Sequence, residues 1–176
     1  KRERKKKAKE EPTREDILLE VPIFDGLSKR DIRKVVLYDK EFAEGAALFS
    51  EGDAGDAMFI ILNGKVRVTQ GTGGDEKEIA VLEKGSFVGE LALLDASLHT
   101  ATTRALAPVK AIVFYRADLK SLITTQPDIA ASVLLKLSAL LGQRLRQANF
   151  RLKALAAGKD IDKTTRPQAA AVPSPT

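Results

Sequence analysis

The chain has 176 residues, 44% hydrophobic and 30% charged, enough for one ordinary domain with residues left over for a long helix or tails. It holds no Cys and a single His, His99, which excludes disulfide frameworks, thiolate zinc sites, cysteine nucleophiles and multi-histidine metal centres. The net charge of +5 is local: residues 1–9 carry seven basic residues and one Glu, so this arm holds +6 and the remaining 167 residues sum to −1. No apolar run approaches the roughly 20 residues of a membrane span, and no apolar stretch follows the basic N-terminus as it does in a secretory leader. A cytoplasmic location is the expectation. The chain opens on Lys, as an excerpt of a longer one would.

Residues 1–14 read as a basic, disordered arm. The alternative is electrostatic contact with nucleic acid or an anionic membrane, although no aromatic is interleaved for base stacking. The folded unit is 15–157. Val21, Ile23, Phe24 and Leu27 form an apolar lead-in. Ser28 is placed to cap a short helix whose apolar positions are Ile32, Val35 and Val36.

From Tyr38 to Tyr115 the reading is β, in short runs separated by Gly. Met58, Phe59, Ile60, Ile61 and Leu62 make a continuous buried strand, and Asn63-Gly64 after it predicts a two-residue hairpin. Lys65-Val66-Arg67-Val68-Thr69 alternates polar and apolar. A turn at 72–75 leads to a strand over 79–82, and the last strand is 109–114. Many short strands at intervals of about 8 to 15 residues predict a sandwich, jelly roll or barrel. After Tyr115 the period becomes helical. Residues 117–123 form a short helix, and Pro127-Asp128 opens a long one over 127–157. Its stripe is Leu134, Leu137, Leu141, Leu145, Ala148, Leu152 and Leu155, a heptad-like seam that predicts pairing with a second copy or packing against a neighbouring domain. Residues 158–176, rich in Ala, Pro and Thr, read as a disordered tail.

One stretch carries chemistry: Gly85-Ser86-Phe87-Val88-Gly89-Glu90-Leu91-Ala92-Leu93-Leu94-Asp95. A strand end here runs into a strong helix former, and such a junction exposes main-chain N–H groups able to hold an anion. Gly89 permits close approach of a ligand. Glu90, in the first turn, is favoured by the helix dipole and can only accept hydrogen bonds, which suits a hydroxyl-bearing group such as ribose. Together these describe a sugar phosphate; the alternative is an ordinary strand-to-helix cap.

At this point the sequence resembles a known family, the cyclic nucleotide-binding domain of the cAMP-dependent kinase regulatory subunit, cyclic nucleotide-gated channels and the catabolite activator protein. The similar segments are Val21-Pro22-Ile23-Phe24-Asp25-Gly26-Leu27-Ser28, Leu48-Phe49-Ser50-Glu51-Gly52-Asp53, the 58–64 strand and turn, and the cassette Phe87 to Leu94. Pro127-Asp128-Ile129 and the Leu137-Ser138-Ala139 and Arg144-Leu145 region resemble the lid and dimer helix of bacterial members. The resemblance implies a mainly β fold with flanking helices: a double-stranded β-helix jelly roll over 15–126, with N-terminal helices and a long C-terminal helix. It implies a non-catalytic sensor of cAMP or cGMP with no other cofactor, working through a homodimer on helix 127–157 or a fused effector domain. Carried over position by position, Glu90 takes the ribose 2′-hydroxyl, the backbone amides of Gly89, Glu90 and Leu91 approach sugar and phosphate, and Val88 and Ala92 belong to the same ligand site. Val68, Ile79 and Ala80 line the base side, and Arg144 and Asn149 close over the base.

The family's usual Arg, nine residues after the cassette Glu, is replaced here by His99, followed by Thr100 and Ala101. Arg offers a permanent two-pronged charge, whereas His is mostly neutral at pH 7. Three readings stay open: a pH-dependent phosphate contact by His99, a pocket for a different nucleotide, or a degenerate pocket in a protein-interaction module. Thr100 adds a hydroxyl beside the phosphate position. Asp53 and Asp56 lack the spacing of a calcium loop and read as a tight turn. Gly71-Thr72-Gly73-Gly74 is no P-loop. Arg104 reads as a strand-surface charge. Unless the chain is truncated, the region after Leu155 is too short for a helix-turn-helix, and a DNA-binding regulator is then not expected.

Overall fold

The computed structural model describes residues 12–71 and 73–156; residues 1–11 of the expected arm 1–14 and the expected tail 158–176 fall outside them. The chain enters through α1 (Arg14–Leu19), where Thr13 and Asp16 cap each other reciprocally. The sequence reading missed this helix, although the Thr13-x-x-Asp16 spacing signals it. A 3-10 turn (Pro22–Phe24) leads to α2 (Lys29–Ile32), capped as expected: Ser28 Oγ accepts from Asp31 N–H at 3.2 Å and the Asp31 carboxylate accepts from Ser28 N–H at 3.0 Å. This helix is a single turn and stops before Val35; Val35 is buried, and Val36, expected on the apolar face, is exposed.

Among the described residues eight strands follow: β1 (Tyr38–Phe42), β2 (Ala47–Phe49), β3 (Ala57–Asn63), β4 (Val66–Gln70), β5 (Lys77–Leu82), β6 (Phe87–Val88), β7 (Thr102–Ala105) and β8 (Val109–Tyr115). They form two antiparallel four-stranded sheets, in the orders β1-β8-β3-β6 and β2-β7-β4-β5. The two inner faces close over one core: Phe59, Ile61, Val66, Val68, Ala111 and Val113 meet there. Met58, Ile60, Ile112 and Phe114, alternating with those residues along β3 and β8, point the other way and pack under the helices. Both faces of the central strands are therefore buried, which is why 58–62 reads as a continuous apolar run. Strand β4 faces water on one side, and its Val66 and Val68 alternate with exposed Arg67.

The Asn63-Gly64 hairpin is not formed. Strand β3 pairs with β6 and β8, whereas β4 pairs with β5 and β7, so the turn passes the chain from one sheet to the other. A two-residue hairpin of the Asn-Gly type needs positive φ at both central residues. Only Gly64 has it, at +90°. A Cβ there would sit 2.6 Å from the Pro108 carbonyl oxygen. We therefore expect Gly64→Ala to cost more than the about 1–3 kcal/mol of a strained backbone residue alone. Gly73→Ala, at φ +69° in open space, carries only the backbone term. Denaturant unfolding of the two variants measures the difference.

Behind the first sheet lie α4 (Arg116–Thr125) and the 30-residue α5 (Pro127–Ala156). The α4–α5 break falls at Gln126, outside the helical region (φ −141°, ψ 66°), as the residue before a proline favours. The apolar seam of α5 divides in two. Ile129, Ala130, Val133 and Leu137 are buried on the core, with Leu134, Leu140 and Leu141 packed beside them. Leu145, Leu152 and Leu155 are more than 60% exposed. The first half of the seam predicted for a partner is thus used by the domain itself; only the second half is left uncovered.

Candidate functional site

Between β6 and β7 the chain forms a one-turn helix, α3 (Leu91–Leu94), preceded by Gly89 at φ +81° and Glu90. Four residues sum to little macrodipole, so the main-chain groups at the junction are what this element offers a ligand. A Cβ on Gly89 would lie 3.0 Å from the Ala57 carbonyl oxygen, so the cassette backbone passes closely over β3.

Glu90 is the one buried acidic residue among the described residues, 7% exposed. Its Oε1 accepts from Arg144 Nη1, 54 residues away on α5. The Arg144 guanidinium also lies 5.3 Å from the centre of the Phe87 ring, a cation–π contact that compensates part of its lost hydration. Burial pushes Arg144 below the usual arginine value, yet an Arg in a protein stays charged. Oε2 of Glu90 has no hydrogen-bond partner among the described residues.

The facing wall is the segment 95–101. Ser97 closes it locally, donating N–H and Oγ–H to the Asp95 carboxylate at 3.0 and 2.5 Å. His99 N–H donates to the Asp53 carbonyl, and Gly52 N–H to the His99 carbonyl, both at 2.8 Å. Gly55 lets the two loops meet, since its Cβ would lie 2.8 Å from that of Ala92. Arg116 ties the same pieces together, donating to the carbonyls of Gly55, Ala92 and Asp95. The Asp53 carboxylate accepts from Ser50 N–H at 3.0 Å, the tight turn expected there. The His99 ring stacks on Phe49, centroids 3.9 Å apart and planes 14° apart. Burial moves its pKa below the ordinary value of 6.5, against the opposing pull of the Asp53 and Asp56 carboxylates.

These elements enclose a cavity of about 170 Å³. Val88, Gly89, Glu90, Leu91 and Ala92 form one wall; His99, Thr100 and Ala101 the other; Arg144 closes it from α5. Phe49, Ser97 and Leu98 complete it. The sequence reading did not select these three, and only Phe49 had a signal, its place in the Leu48-Phe49-Ser50 motif. Four expected residues do not line this cavity. Val68 and Ala80 face each other across β4 and β5, Ile79 is 39% exposed, and Asn149 is exposed. Five residues after Arg144, Asn149 is turned about 140° around the helix.

A family model described as the cyclic nucleotide-binding domain matches residues 39–126. The chain belongs to that family. It is 32% identical over 137 residues to the cyclic AMP receptor protein of Thermus thermophilus, covering 76% of this chain and 62% of that protein. It is 37% identical over 113 residues to the cGMP-dependent protein kinase egl-4 of Caenorhabditis elegans, covering 61% of this chain and 14% of the kinase. The crystal structure of the Thermus thermophilus catabolite activator protein superposes with a TM-score of 0.69 at 31% identity, over 77% of this chain and 63% of that one. This chain thus spans about three fifths of the receptor's length. Among the described residues no helix is long and apolar enough to cross a membrane.

Proposed function

We propose that the cavity under α5 takes a cyclic nucleotide and that the chain is the sensing part of a cytoplasmic regulatory protein, with no chemistry of its own and no cofactor beyond that ligand. The observation that carries this reading is Glu90, a buried carboxylate on the cavity wall with one oxygen held by Arg144 and the other free among the described residues. An ionised carboxylate only accepts, so a ribose hydroxyl fits Oε2 while Arg144 keeps Oε1. Glu90 then joins the sugar to α5, and the main-chain groups of Gly89, Glu90 and Leu91 lie beside the sugar and phosphate. Bound nucleotide changes how firmly α5 is held, to the extent that it binds one placement of α5 better than another. The output is the exposed seam of Leu145, Leu152 and Leu155, read by a second copy or a fused effector. The relatives named for cAMP and for cGMP make both nucleotides candidates.

A second reading, an interaction module with a degenerate pocket, is favoured by the size of the cavity. About 170 Å³ is less than the roughly 300–1,000 Å³ of typical small-molecule sites. Thermal melting with and without millimolar nucleotide separates the two. A ligand at about 100 times its Kd stabilises the folded state by about 2.7 kcal/mol. For a domain of this size the midpoint then rises by roughly 5–10 °C. No rise with either cAMP or cGMP supports the second reading.

A further inference from the structure

We propose that His99 receives the phosphodiester as an imidazolium, so that nucleotide uptake by this chain is coupled to uptake of a proton. This rests on the reading that the cavity takes a cyclic nucleotide.

The geometry makes His99 a held and available donor. Its main chain is bonded on both sides to the 52–53 turn, and its ring is stacked on Phe49, so the imidazole cannot leave the wall without breaking those contacts. No hydrogen bond holds either ring nitrogen among the described residues. The ring borders the cavity opposite Gly89 and Glu90, and its Cε1 would lie 3.5 Å from a Cβ built on Gly89. A phosphodiester seated over the Gly89 backbone is therefore within reach of this ring.

Charged groups surround it from every side. The 50–56 loop supplies the Asp53 and Asp56 carboxylates, which favour the imidazolium. Glu90 from the cassette acts in the same sense but is paired with Arg144 of α5. Arg144 opposes protonation, as does Arg116 of α4, whose guanidinium is bound to the Gly55 carbonyl. Burial is the largest influence and favours the neutral ring. A cyclic phosphodiester keeps its single negative charge between about pH 5 and pH 8, so the titrating group is the protein's. The anion raises the imidazole pKa in the complex above that of the free domain. Binding then takes up a proton in the window between the two values. Affinity rises as pH falls through that window, and is level above it, where the ring is neutral in both states.

The test is calorimetric titration of cAMP, and separately of cGMP, into the full chain from about pH 8 to about pH 5.5, in buffers of differing ionisation enthalpy. The expected result is a Kd that falls by up to about tenfold per pH unit, with net proton uptake. His99→Arg should bind more tightly than the wild type near pH 8 with a level profile, and His99→Gln weakly with a level profile; a purely structural role would not remove the slope. Measurable wild-type binding that does not vary with pH overturns the proposal and leaves the cyclic-nucleotide reading intact. So does binding by His99→Arg when the wild type binds at no pH. No binding of either nucleotide at any pH, by wild type and His99→Arg alike, overturns both.

Discussion

Glu90→Ala should weaken cyclic-nucleotide binding by roughly 10- to 150-fold, the factor that corresponds to losing a hydrogen bond of about 1.5–3 kcal/mol to a charged group. The acid has two oxygens and two jobs: Arg144 takes Oε1, and the proposed ribose hydroxyl takes Oε2. Glu90→Gln keeps the shape and removes the charge. Its amide presents one acceptor and one donor group, so it satisfies one of the two donors that face it. Its affinity should therefore lie between those of wild type and Glu90→Ala. A second readout needs no nucleotide. Glu90→Ala releases Arg144, so amide hydrogens of α5 around residue 144 should exchange faster, while those of the docked segment near Val133 and Leu137 keep their protection. Unchanged affinity in Glu90→Ala, measured by calorimetry, would remove the acid from the site.

Phe114→Ala should destabilise the domain by about 3–5 kcal/mol, the range for truncating a buried aromatic. Phe114 is fully buried on β8, with its ring centre 6.5 Å from that of Phe24. It belongs to the same cluster as Ile60, Leu119, Leu122, Ile129 and Val133, so it joins the sheet to the N-terminal turn, α4 and α5 at once. A cavity at that junction cannot be filled by moving one element alone. Phe150→Ala, on the exposed part of α5, should stay within about 0.5 kcal/mol. Denaturant midpoints of the two variants measure the contrast, and a Phe114→Ala loss below about 1 kcal/mol would show that the helices are not anchored there.

The cassette was legible because its signals are local. Gly89 and Glu90 stand where a strand gives way to a helix former, and nine of the residues selected from the sequence line one cavity. The expected positions on β4 and β5 fared differently. Val68 and Ala80 pair across the sheet, but the cavity opens elsewhere. Ile79 alternates with Ala80 and is partly exposed. Residue type along a strand does not say how far along it a cavity extends.

Periodicity and capping were enough to define α2's start at Ser28, the doubly buried β3, and the division of the chain into a β body and a long helix opening at Pro127. Those features depend on neighbours within a few residues, whose sterics and hydrogen bonds act in any tertiary context. Three others came only from the folded chain: the pairing of Glu90 with Arg144, the seating of His99 on Phe49, and the passage of the chain from one sheet to the other at Gly64. The side-chain pairs join residues 50 or more positions apart. The crossing is settled where Gly64 meets Pro108 and Val109. Such contacts are selected by which surfaces the sheets and helices bury together, and turn chemistry or spacing along the chain carries no record of that choice.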